Sequence, residues 1–395
     1  IYASLDPVQR QDCHLRLGRL RLRQWGPDAP SGRLFDLVNH LNLGSSRMRD
    51  RGDTAELLAL AALNLSAGKR AKSTAAFHAA VGFFTAGTSL LPESAWADHH
   101  DLMFELHLER AHSESLSGAF ADAEAQLAAL GARARSAVER GLVCLRLCEL
   151  YYARADFAGA TRVGIEGLTH VGMAVPAPEQ AMPALFAERA EIERALAEGK
   201  TIADLAQLPL NQSSEIDVTV RLIVALASPL YIAESPLYPL LMARQITLAL
   251  RHGLSEQTSY ACAAYAFLLG CVLGEPAVAY QYAQMALAMN DRLTRGSMSC
   301  RIRLPLGSFL HFCNPIKDSL TQYAMGRQDA LACGDFSTLS LICSMQAQTS
   351  LYTSEDLNEA LRAVEESMVL MQRTKDALNT MQLRQVRQVL RALVG

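Results

Sequence analysis

The sequence predicts an all-α protein, a right-handed superhelical solenoid built from antiparallel helix pairs. A short phrase, Gly118-Ala-Phe120-Ala-Asp-Ala123, recurs 37 residues later as Ala155-Asp-Phe157-Ala-Gly-Ala160. A period of a few tens of residues is typical of stacked helical repeats. Ala- and Leu-rich stretches place apolar residues three and four positions apart, and the alternation typical of strands is nearly absent. Gly and Pro then divide these stretches into pieces of helix length.

The N-terminal elements are predicted as two helices. The stretch Leu15 to Leu22 alternates like a strand, but Cys13, Leu17 and Leu20 share one helix face, so we predict a helix that ends before Gly26-Pro27. A second helix should run from Leu34 to Leu43 and stop at Gly44, since glycine commonly ends helices.

Helix pairs should follow in regular order. Asp53 is placed to cap a pair over 54–91, Ser94 to cap a helix through His112, and further helices should begin near Phe120, Ser136 and Phe157. Four prolines then interrupt the rhythm over 175–211. Beyond them we predict helices at 213–226, 237–252, 257–273, 277–293, 298–312, 316–333, 336–351, 357–372 and 375–393. We therefore expect linker helices over 1–45, repeats over 46–174, an irregular Pro-flanked insertion over 175–212 and degenerate repeats over 213–395.

Composition narrows the class of protein. Half of the 395 residues are apolar, and the net charge of −3 gives no sign of a nucleic-acid or anionic-membrane partner. The nine cysteines are scattered, with no Cys-x-x-Cys pair, which favours a reduced, cytoplasmic compartment. No apolar run reaches the roughly 18 residues of a membrane span. Because the chain begins at Ile1, we expect it to be a piece of a longer protein.

The recurring phrase resembles the turn of a tetratricopeptide repeat, with weaker copies at Gly274–Ala279 and Glu355–Ala360. The resemblance implies a groove lined by the first helix of each pair, and its residues here would include Leu108, His112, Leu145, Glu149 and Tyr152. The Lys and Asn residues with which some such repeats hold a peptide carboxylate are missing. We expect a mostly apolar groove, filled by a neighbouring helix of the same chain or by an amphipathic partner helix.

The phrase Asn39-His40-Leu-Asn42 is a polar cluster within an otherwise apolar helix. One interpretation is a ligand or partner contact. The other, which we favour, is a hydrogen-bonded set that fixes how this helix packs on the next.

Catalytic and metal-binding patterns are largely missing from the sequence. No P-loop, His-Arg-Asp or Asp-Phe-Gly motif occurs, so we predict neither catalytic residues nor a cofactor. His99, His100 and Asp101, with His107 and His112, could suggest a metal site. Adjacent histidines on a helix diverge by about 100°, however, so we predict no metal ligands there.

The stretch His14–Leu20, the segment Leu34–Gly44 with its Asn-His-Leu-Asn phrase, and Gly334-Asp335-Phe336 resemble a helical region of large bacterial signalling proteins. In that family a serine/threonine kinase domain and a predicted AAA-type ATPase precede the tetratricopeptide-like region, and a GAF domain and a sensor histidine kinase commonly follow. The resemblance implies that residues 1–25 are the tail of the ATPase module. It also implies a non-catalytic scaffold or sensor that binds protein, including other domains of its parent chain.

Two other functions remain open at this point. A small-molecule sensor, like the helical region of STAND-type regulators, should show a closed and partly polar pocket. An enzyme on an all-helical scaffold should show a cleft with converging, pKa-perturbed groups. A long open apolar groove would favour a partner helix instead.

Overall fold

The structure, a computed structural model, describes residues 5–27, 29–197, 201–294, 296, 298–374 and 377–395. Within these residues the chain is all-α, as predicted, with a single isolated β-bridge between Leu210 and Leu254. The chain forms two compact units, Ile1–Val163 and Gly164–Gly395. Each consists of consecutive helices that pack on their neighbours in the tetratricopeptide-like manner. No helix of the described residues is both long and apolar enough to cross a membrane.

The first ten helices include all of the first unit. They are α1 (Pro7–Trp25), α2 (Ser31–Leu43), α3 (Ser45–Asp50), α4 (Thr54–Ser73), α5 (Phe77–Leu90), α6 (Ala95–Asp98), α7 (His100–Leu116), α8 (Phe120–Gly131), α9 (Ala137–Ala153) and α10 (Phe157–His170). The segment that could be read as a strand lies within α1, so the prediction of a helix there is confirmed. The helix predicted from Ser94 is two helices, because His99 leaves helical geometry at φ −133° and ψ 42°.

The remaining helices belong to the second unit. They are α11 (Ala181–Ala197), α12 (Ser214–Ile232), α13 (Leu237–His252), α14 (Thr258–Phe267), α15 (Pro276–Thr294), α16 (Ser299–Phe309), α17 (Lys317–Cys333), α18 (Phe336–Thr353), α19 (Leu357–Thr374) and α20 (Ala377–Val394). Helix α11 lies in the segment predicted as an insertion, yet it packs on α13, where Arg244 donates to Glu188 at 2.7 Å.

Three turns that join paired helices in the first unit, α4–α5, α7–α8 and α9–α10, share one geometry. At each turn a residue takes a left-handed conformation: Ala75 at φ 57°, Gly118 at φ 89° and Ala155 at φ 60°. The next residue's N–H then bonds to a carbonyl five residues back, at 2.9–3.0 Å. Left-handed geometry favours glycine and tolerates few side chains, which explains the small residues at these positions.

The small residue of the repeated phrase lies where paired helices approach closely. Ala123 and Ala160 are fully buried, and Ala80 is buried in the same way three residues after Phe77. The α4–α5 turn is therefore a third copy of the phrase. Sequence reasoning missed it because Phe77 lies 43 residues before Phe120, outside the 37-residue period.

Candidate protein-interaction face

The first helices of three successive pairs, α4, α7 and α9, lie side by side in the first unit. Their neighbouring side chains form what we call the first-helix face, made of Lys69, Lys72, Glu105, Glu109, His112, Arg146, Glu149 and Tyr152. At one edge Lys69 on α4 pairs with Glu105 on α7, and both side chains are nearly half exposed, at 45% and 46%. This face is polar, contrary to the prediction of a mostly apolar groove.

The centre of this face is a row of charges that we call the charge ladder: Lys72, Glu109 and Arg146. Lys72 Nζ donates to Glu109 Oε2, and Arg146 Nη2 lies 3.9 Å from Glu109 Oε1. Glu109 and Arg146 are each only 8% exposed. Glu109 and Arg146 lie 37 residues apart, the period of the repeat, and Lys72 lies the same number of residues before Glu109. At this level of the face the three successive first helices therefore carry charges of alternating sign.

A second contact of the same register joins α7 to α9. His112 Nε2 lies 3.7 Å from Glu149 Oε2, again a spacing of 37 residues, and Arg146 Nη1 donates to the same Glu149 oxygen at 2.8 Å. Lys72 Nζ approaches His112 Nδ1 at 3.4 Å. A neutral imidazole with its proton on Nε2 satisfies both neighbours, since it accepts from Lys72 and donates towards Glu149.

Glu109 is held in its ionised form. Burial alone would raise the pKa of Glu109, but the charge and hydrogen bond of Lys72 and the charge of Arg146 outweigh it, and the pKa lies below its ordinary value. Burial also lowers the pKa of Lys72, more than its pairing with Glu109 raises it. The acid faces two cations whereas Lys72 has one close acid partner, which accounts for the difference.

The predicted groove residues divide into two groups. Leu108 and Leu145 are 5% and 1% exposed and lie in the core, so they are not available to a ligand. Each precedes a ladder residue by one position, and one residue rotates a helical side chain by about 100°. His112, Glu149 and Tyr152 lie on the partly exposed surface, and the Tyr152 ring contacts Phe157 at 5.7 Å between centroids. Their role as a partner surface remains a prediction.

The polar phrase near the start joins three helices. The amides of Asn42 on α2 and Asn64 on α4 bond to each other reciprocally at 2.8 Å, and Asn64 also donates to the Leu60 carbonyl at 2.9 Å. His40 stacks on His14 of α1 with 2.7 Å between their Nδ1 atoms. These contacts support the packing interpretation for Asn42 and His40. Asn39 is exposed, so the contact interpretation stays open for that residue alone.

The histidines that could suggest a metal site lie in different surroundings, although the rings of His100 and His107 both contact Trp96. His100 Nε2 lies 2.8 Å from Glu139 Oε1 and is 8% exposed, whereas His107 stacks on Trp96 with 5.3 Å between centroids. His99 ends the short helix α6 and is exposed. His112 belongs to the contact with Glu149. The divergence expected for neighbouring helical positions accounts for this arrangement.

The buried cysteines Cys148 and Cys262 have thiols that are poorly suited to act as nucleophiles. Burial raises the pKa of Cys148 on α9 to about 12, with smaller contributions from Glu149 and Cys144. A thiol with such a pKa stays protonated at neutral pH and is a poor nucleophile. Burial likewise raises the pKa of Cys262 in the second unit to about 12. We therefore assign both residues to the core.

Comparisons with known proteins give distant likenesses. No protein-family model matches the chain. A hybrid signal transduction histidine kinase G of Dictyostelium discoideum is 22% identical over 334 residues, which cover 77% of this chain. The chain spans about 10% of the length of that relative. Among solved structures, the P58(IPK) TPR domain aligns over 97% of this chain and 98% of its own at 12% identity, with a TM-score of 0.23. At that score the fold assignment rests on the helix pairs themselves.

Proposed function

We propose that this chain is a non-catalytic helical-repeat scaffold in a cytoplasmic signal-transduction protein, and that it binds protein through the first-helix face. One observation carries the proposal: partly exposed polar side chains run across three successive first helices, over a ladder that fixes their spacing. A rigid surface of this kind presents a defined pattern of charges to a partner. The curated relative is itself a signal transduction histidine kinase, which supports the setting.

The partner should be a protein segment with charged side chains rather than a purely apolar helix. Lys69, Glu105 and Glu149 are between 39% and 46% exposed and carry both signs of charge. Tyr152 adds an aromatic group beside them, and Tyr is enriched at protein interfaces. We expect this segment to come from another domain of the parent chain, such as its kinase or ATPase module.

Photo-cross-linking in the full-length parent protein tests this proposal. Tyr152 is replaced with p-benzoylphenylalanine, which keeps an aromatic ring, and the matched control carries the same group at Tyr352. Tyr352 is 80% exposed in the second unit, so non-specific cross-linking to passing proteins should be more frequent at the control position than at Tyr152. We expect one dominant cross-linked segment from position 152 and none from position 352. Scattered products, or equal yields from the two positions, would refute the proposed face.

A further inference from the structure

A cleft of about 430 Å³ opens in the first unit, away from the charge ladder. The end of α5, the short helix α6, the middle of α7 and the second half of α8 surround it. Met103 and Leu130 give it an apolar wall, and Trp96, His107, Arg110 and Arg133 give it rings and cations. Its volume falls within the range of about 300–1,000 Å³ that is common for small-molecule sites.

Two arginines line the cleft, and each is paired with one glutamate. Arg110 Nε donates to Glu114 Oε1 at 2.9 Å, and among the described residues its Nη atoms have no acceptor. Arg133 Nη2 donates to Glu93 at 2.5 Å, but the Glu93 side chain is 76% exposed and reaches towards solvent. Glu93 is the one acid among the described residues that line the cleft. Guanidinium groups with free N–H donors match carboxylate and phosphate oxygens.

The Trp96 ring holds Arg133 in place, and Glu114 holds Arg110. The Arg133 guanidinium carbon lies 4.7 Å from the centroid of the Trp96 ring, and His107 stacks on the same tryptophan at 5.3 Å. Burial lowers the pKa of His107, and the nearby charges of Arg110 and Arg133 lower it further, so the imidazole is neutral at pH 7. A neutral imidazole can form a hydrogen bond to a ligand through its N–H group, and it adds no charge to the cleft. The cationic groups are therefore positioned before any ligand enters.

We propose that this cleft binds a small organic oxyanion, a carboxylate or a phosphate ester, whose apolar part packs on Met103 and Leu130. The acidic group lies between Arg110 and Arg133, and His107 bonds to one of its oxygens. This site goes beyond the proposed scaffold function and uses none of the first-helix face. Loss of ligand binding therefore leaves the Tyr152 cross-link unchanged, and the two proposals can fail separately.

Tryptophan fluorescence tests the site in the intact chain. The protein has two tryptophans, Trp25 and Trp96, so Trp25→Phe leaves the cleft residue as the sole reporter. Benzoate, phenyl phosphate and inorganic phosphate are titrated, with benzamide as the neutral match for benzoate. We expect a saturable change with benzoate or phenyl phosphate and binding at least about tenfold weaker with benzamide. Saturation by inorganic phosphate alone would identify an anion site without the apolar subsite and overturn the organic part of the proposal.

A pair of matched variants separates the cleft from general surface charge. Arg133→Gln should weaken the Kd of the bound anion at least about tenfold. Arg154→Gln is the control, because Arg154 is also 43% exposed and also pairs with a glutamate, Glu124, outside the cleft. Circular dichroism confirms that both variants fold. Equal Kd values in both variants, or no saturable response to any of the three anions up to about 10 mM, would overturn the proposal.

Discussion

Replacing Glu109 with Gln tests whether the charge ladder stabilises the first unit. The substitution keeps the size of the side chain but removes the charge that faces Lys72 and Arg146. At the 3.9 Å between Glu109 Oε1 and Arg146 Nη2, two unit charges attract by about 4 kcal/mol at an effective dielectric constant of about 20. Arg146 keeps its bond to Glu149, and the Lys72 side chain is 20% exposed. We therefore expect the free energy of unfolding to fall by about 2–3 kcal/mol, less than the about 3–5 kcal/mol for breaking a fully buried pair.

The matched control for Glu109→Gln is Glu105→Gln on the same helix. The Lys69–Glu105 pair has the same chemistry but is nearly half exposed, so its loss should cost less than about 1 kcal/mol. Urea unfolding followed by circular dichroism gives the free energies. Because the chain has two units, peptide-resolved hydrogen exchange assigns the change to α4 and α7. If the losses in free energy of unfolding of the two variants differ by less than about 0.5 kcal/mol, the burial of Glu109 does not strengthen its ion pairs and the reasoning is wrong.

Three further predictions concern the first unit. Gly68→Ala should lower the free energy of unfolding by about 1–3 kcal/mol in thermal unfolding, because the new Cβ would lie 2.3 Å from Phe84 Cε1. Gly82→Ala is the control: a Cβ there has no neighbour within 4 Å, so this variant should stabilise its helix by about 0.5–1 kcal/mol. Asn42→Leu should cost about 1–3 kcal/mol in urea unfolding, since it leaves a fully buried amide on α4 without its partner, and a neutral result would contradict the packing interpretation. Because folding lowers the pKa of Glu109, its ionised carboxylate contributes fully to the free energy of unfolding above about pH 4.5. This contribution disappears as the pH falls through the lower pKa of the folded state. The difference in urea midpoint between wild type and Glu109→Gln should therefore shrink from pH 7 to about pH 3, and a constant difference would count against it.

The repeated phrase was sufficient to predict the all-α class and several helix starts. Helices α8 and α10 begin at Phe120 and Phe157, and Ser136 caps α9 by accepting from the Glu139 N–H at 3.1 Å. These signals are local, because a left-handed turn, a small buried residue and a capping side chain each depend on a few neighbouring positions. The break at His99 has no such signal.

The polar face was harder to predict because it depends on contacts between repeats. The predicted groove combined His112, Glu149 and Tyr152 with Leu108 and Leu145, but the two leucines lie one position before residues that meet across the helices. The same difficulty affects α20, where the apolar residues Met381 and Val389 are 51% and 45% exposed while Leu390 is fully buried. Periodicity indicates that a helix has two faces, but the packing of its neighbours decides which residues are covered. The 37-residue spacing of Glu109 and Arg146, which matches the repeat, was nevertheless a signal in the sequence itself.

The alternation of sign along the ladder also opposes incorrect stacking of the repeats. In a solenoid each repeat meets only its neighbours, and similar repeats could in principle pair out of order. Stacking α4 directly on α9 would bring Lys72 against Arg146, two cations at positions that are largely buried in the native structure. An unpaired buried charge costs several kcal/mol, whereas insertion of α7 gives each cation an acid. The ladder thus favours the native order even where the similar apolar surfaces of the repeats would accept another.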